Sequence, residues 1–95
     1  MATHRQTPDL PPVEHAVPQA ALVEYLANQA VTELVIVSVA PGCYRLEAAL
    51  SWRSGRSVLI ATHGDARLFR SLDTVATLLR TIGTGVTLIR LELLH

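Results

Sequence analysis

The feature that most constrains this chain is the alternation between Cys43 and Arg53. Tyr44, Leu46, Ala48, Leu50 and Trp52 fall on one side, and Arg45, Glu47, Ala49, Ser51 and Arg53 on the other. A period of two is the signature of an antiparallel strand with one face on a core and the other in water. Turns bracket it. Ala40-Pro41-Gly42 precedes it, with Pro presetting φ and Gly supplying a positive φ, and Ser54-Gly55 follows. The flanking segments are strand-like as well: Val31 to Val39 is β-branched and almost continuously apolar, and Ser57 to Thr62 reads as a third strand. A three-stranded meander is therefore expected at the centre of the molecule.

Helical patterns stand on either side of it. From Pro18, suited to a first helical turn because its missing N–H costs nothing there, Leu22, Val23, Leu26, Ala27 and Ala30 fall on one stripe. The second helix is better marked. Ser71 is its expected N-cap and Asp73 lies in the positively polarised first turn. Leu72, Val75, Ala76, Leu79 and Ile82 make its apolar face, and Gly83 ends it. A last strand is expected over Val86 to Leu93, with a bulge or burial on both sides. Met1 to Val17 has three prolines and no period and reads as a disordered tail, so the folded domain is expected over 18–95. The order α-β-β-β-α-β folds most simply as an α+β two-layer sandwich: a four-stranded, mainly antiparallel sheet with both helices on one face.

At 95 residues the chain supports one domain. Hydrophobic residues are 49% but aromatics only 4%, so the core is aliphatic and modest, which favours a homodimer. The expected contact is an exposed strand edge, either Val31 to Val39 or Val86 to Leu93. The lone Cys43 excludes an internal disulfide framework and a Cys-cluster metal site. The N-terminal residues lack a signal-peptide pattern, and the apolar runs fall short of the ~20 residues of a membrane helix. A cytoplasmic protein without membrane contact is the expectation. His4, His15, His63 and His95 lack ligand spacing, and no nucleotide glycine pattern occurs, so neither a metal nor a cofactor is expected. His63 and Asp65 have the residue types of an acid–base pair, yet no nucleophile is marked by any motif, and an enzyme is not expected.

Charge is balanced, eight arginines against eight acidic residues with no lysine, but unevenly placed. Arg53, Arg56, Arg67, Arg70 and Arg80 follow Trp52 with only Asp65 and Asp73 among them. Arg53 and Arg56 flank one turn; Arg67 and Arg70 lead into the second helix, whose free N–H groups point at anions. Should Arg53, Arg56, Arg67 and Arg70 converge, with Trp52 or Phe69 as a stacking ring, they make a phosphate-gripping, nucleic-acid-binding surface. Otherwise they are solvated, or paired with Asp65, Asp73 or Glu47. Trp52 and Phe69 likewise have a purely packing role open to them, ending a core strand and sealing the start of the second helix.

The string Arg67-Leu68-Phe69-Arg70-Ser71-Leu72-Asp73-Thr74, followed by Leu79-Arg80 and Gly83, resembles small ParC-like partition-associated proteins of plasmids and integrative elements, which are unrelated to the topoisomerase subunit of that name. The resemblance covers about the last two-thirds of the chain and leaves out the tail to Pro18. It implies a bacterial cytoplasmic accessory protein of mobile DNA, either an adaptor for a partition protein or a protein that touches DNA. Zero net charge makes DNA binding demanding unless a dimer doubles the arginine patch, whereas an adaptor needs only a strand edge or an apolar groove. The adaptor is accordingly the leading expectation and direct nucleic-acid binding the alternative.

Overall fold

The computed structural model describes residues 15–83, 85 and 88–94. Its elements are β1 (Ala16–Pro18), α1 (Gln19–Ala27), β2 (Val31–Ala40), β3 (Cys43–Leu50), β4 (Arg56–Ile60), β5 (Leu68–Phe69), α2 (Leu72–Ile82) and β6 (Leu88–Leu93). They form a compact α+β fold with six strands in one mixed sheet, ordered β1-β4-β3-β2-β6, with β5 paired to β3. The expected four-stranded, mainly antiparallel sheet is thus corrected. The β2-β3-β4 meander is antiparallel as its alternation requires, but β1 joins β4 in parallel and β6 joins β2 in parallel. Two things escape a local reading. Three residues of β1 and two of β5 are too short to show a period, and parallel pairing depends on where a distant segment docks.

Of the tail expected over 1–17, residues 1–14 lie outside the described residues, while Ala16 and Val17 belong to β1. The expectation of helix to Ala30 shortens to Ala27, because Gln29 adopts a left-handed φ of 59°. The α2 signals correspond to real caps. Ser71 Oγ accepts from the Thr74 N–H at 3.2 Å, and Gly83, at φ 76°, lies in the left-handed region and donates its N–H to the Leu79 carbonyl. Phe69, beside that cap, is buried.

The helices share one face of the sheet. Leu22 of α1 and Val75, Leu78 and Leu79 of α2 enter a single core with Val17, Leu34, Leu46, Ala48, Leu50, Leu59 and Phe69. Trp52, expected at the end of that core face, lies beyond β3 and is 51% exposed. Its ring meets Tyr25 edge-on at 5.6 Å between centroids, and the Arg53 guanidinium lies 4.4 Å from its centre. The β2 register against β3 shifts at Val31/Glu33 and again at Ser38/Ala40, so the irregularity expected of the last strand is found in β2.

Candidate functional site

The face of the sheet turned away from the helices is built from a row of valines and a lattice of opposite charges. Register places Val35 of β2 beside Glu47 of β3 and Arg90 of β6, and Val37 beside Arg45 and Glu92. Val35, Val37 and Val39 form a second buried cluster with Cys43 against it. No described helix contributes to that cluster.

Charged side chains bridge the strands. Arg45 Nε donates to Glu47 Oε2 at 2.7 Å, and Arg56 Nε lies 3.3 Å from Glu47 Oε1, so one carboxylate is held between two guanidinium groups. Arg56 Nη2 also reaches Glu92 Oε1 at 3.2 Å, which carries its arm from β4 past β3 and β2 to β6. Arg90 Nη2 then meets Glu33 Oε1 at 3.2 Å and Glu92 Oε2 at 3.9 Å. Three arginines and three glutamates run across the sheet with their charges matched. Arg45 and Glu47 are 7% and 6% exposed, so the expectation that this face of β3 is wet is corrected. Charge can be buried here because each head group finds an opposite one and each stem lies along apolar neighbours.

The four arginines singled out from the sequence do not share a surface. Arg56 belongs to the lattice. Arg53, at the β3–β4 turn, donates from Nη1 to Ser57 Oγ at 3.2 Å. At the other end of β4, beyond Ile60, Arg67 Nη1 donates to Gln19 Oε1 at 2.9 Å, and its guanidinium lies 5.0 Å from the Phe69 ring centre. Arg70 is exposed beside the β2–β3 turn, its carbonyl near Gly42. Arg53 and Arg56 therefore start β4, whereas Arg67 and Arg70 follow its far end. His63 and Asp65 lie on an exposed loop with Nδ1 and Oδ2 3.9 Å apart.

The second notable region is β6, the outer strand. The expectation of burial on both sides is reversed: Leu88, Ile89, Leu91, Leu93 and Leu94 are all exposed, Leu88 and Leu93 by 61% and 63%. Ile89, Leu91 and Leu93 are register partners of Leu34, Ile36 and Ser38, on the helical side. Ala76, Leu79, Arg80, Gly83 and Ile89 line a groove of about 560 Å³ between α2 and this strand. The alternative edge expected over Val31 to Val39 is not an edge, since β2 lies between β3 and β6.

The sequence reading missed Arg45, Glu33, Arg90 and Glu92 as a set with Glu47 and Arg56. One signal was available: Arg45-Leu46-Glu47 and Arg90-Leu91-Glu92 repeat the same tripeptide, and a spacing of two puts Arg and Glu on one face of a strand. Among the described residues, no group of three His, Cys, Asp or Glu side chains is placed to hold a metal ion, and no helix is long and apolar enough to cross a membrane. Compared with protein-family models, curated proteins and solved structures, the chain matches none.

Proposed function

We propose that this chain is a non-enzymatic protein-interaction module, an oligomerising adaptor that works through the free edge of β6. The carrying observation is that edge: six strand residues with one side unpaired among the described residues, which with the following Leu94 bear five exposed leucine or isoleucine side chains. Sheets usually blunt such an edge with lysine, proline or a covering loop, and β6 has neither lysine nor proline. An edge left open supplies main-chain hydrogen bonds to an added strand, and the apolar side chains supply the area. A cytoplasmic accessory role beside a partition protein, as the ParC-like resemblance implies, is compatible with that chemistry.

Binding to nucleic acid is the weaker reading. It needs several unpaired cations on one face, whereas Arg56 and Arg90 are neutralised by Glu47, Glu92 and Glu33, and Arg53 and Arg67 leave from opposite ends of β4. Absence of a mobility shift with duplex DNA at about 10 μM protein and low salt supports the adaptor. A shift abolished by Arg53→Ala with Arg67→Ala replaces it.

The adaptor reading is tested by amide exchange. Leu94 donates its N–H to the Ser38 carbonyl, so by the alternation of a strand the N–H groups of Ile89, Leu91 and Leu93 point outward. These three amides should be protected in the assembled protein and exposed when Ile89→Lys blocks assembly. Rapid exchange at all three in every complex the protein forms overturns the reading.

A further inference from the structure

We propose that the occupant of the β6 edge is a second copy of this chain, paired antiparallel across a two-fold axis at Leu91. The inference rests on the adaptor reading and names its partner. Read outward from Leu91, the strand is complementary to its own reverse. Arg90 falls opposite the partner's Glu92, Ile89 opposite the partner's Leu93, and Leu88 opposite the partner's Leu94.

Backbone geometry selects the same axis. The outward-pointing residues are Ile89, Leu91 and Leu93, and an antiparallel pair exchanges both hydrogen bonds only between such residues. Centring the axis on Leu91 matches all three with outward-pointing residues of the partner. Moving it to Ile89 or Leu93 keeps the parity but sets Arg90 or Glu92 opposite a leucine, and part of the strand is left without an opposite residue in β6. The side-chain facing agrees as well. Arg90 and Glu92 lie on the charged face, next to Glu33 and Arg56, so two intermolecular pairs would join the lattices of both copies into one. Ile89, Leu91 and Leu93 lie on the helical side, where the partner's residues would cover them and the mouth of the groove beside α2. A two-fold axis perpendicular to the sheet keeps both helical layers on one side and both lattices on the other.

The contact is one strand wide, at the small end of specific interfaces, so the dimer should depend on concentration. Analytical ultracentrifugation of the full chain from about 5 to about 500 μM should show the weight-average mass rising from 10.3 kDa toward twice that value. Arg90→Glu sets a carboxylate against the partner's Glu92, and Glu92→Arg sets a guanidinium against the partner's Arg90. Each variant alone should stay monomeric, and an equimolar mixture of the two should recover the dimer, because every cross-strand pair is then of opposite sign. Arg90 and Glu92 are partly exposed, and circular dichroism verifies that each variant folds. Leu91→Pro is the second probe: of the backbone donors in β6 it removes only one that points outward, on an edge strand where proline is tolerated, and should also abolish the dimer.

A mass of one chain throughout the range overturns the proposal. So does a dimer that survives both single swaps, or swaps whose mixture does not recover it although both are folded. Those results leave the adaptor reading standing if the amides of Ile89, Leu91 and Leu93 are protected by a different protein, so the two failures are distinguishable.

Discussion

The two edges of the sheet are finished in opposite ways. On one side β1 is three residues long, ends in Pro18 and sends Val17 into the main core beside Leu59. It leads directly into α1, so the chain turns away before an edge of any length is exposed. On the other side β6 runs for six residues, keeps every N–H, and shows leucines on both faces. Among the described residues only its inner side is engaged, by β2. The difference separates a strand that completes the fold from a strand that is held ready by the fold. The charged lattice serves only the second of them: it starts at Arg45 and Glu47 in the middle of the sheet and reaches β6 through Arg56 and Glu92, with none of its six residues on β1.

The largest effect is expected where that lattice is anchored. Glu47→Ala leaves the buried Arg45 guanidinium without its carboxylate and should cost about 3–5 kcal/mol of unfolding free energy in a urea titration. A loss below about 1 kcal/mol would place the pair among weak surface bridges and remove the lattice as a support for the open edge. Next comes β1 itself: Val17→Ala removes two buried methyl groups and should cost about 2 kcal/mol in the same titration. The smallest effect belongs to β6. Leu93→Ala, measured by thermal melting at a concentration where the chain is monomeric, should change stability by less than about 0.5 kcal/mol, since its side chain is largely in water. Equal costs at Val17 and Leu93 would erase the distinction between a finished edge and an open one.

The charged lattice shows how far local pattern carries and where it stops. Arg45 and Glu47 were legible as one face of β3, because alternation assigns a side. Whether that side meets water was not legible, since it depends on β2, β4 and β6 arriving with Val35, Arg56 and Glu92 at the right heights. The arginines after Trp52 teach the same lesson in reverse. Arg53, Arg56, Arg67 and Arg70 are near in sequence, but the length of β4 sends them to opposite ends of the sheet. Only Arg56 joins the lattice, through partners 9 and 36 positions away, Glu47 and Glu92.

The amino-acid sequence by itself determined the units: a meander marked by Pro41-Gly42 and a period of two, a helix marked by Ser71 and Gly83, and an α+β composition with an aliphatic core. These are properties of neighbouring residues, because turn conformations, caps and side-chain facing are decided within a few positions. Tertiary structure alone decided that β1 and β6 would flank the meander in parallel, that β2 would lie inside the sheet rather than at its rim, and that β6 would keep a side no other described strand takes. Those outcomes turn on which distant segment a strand finds as its neighbour, and a strand's own side chains specify a face far more strongly than they specify the company beside it.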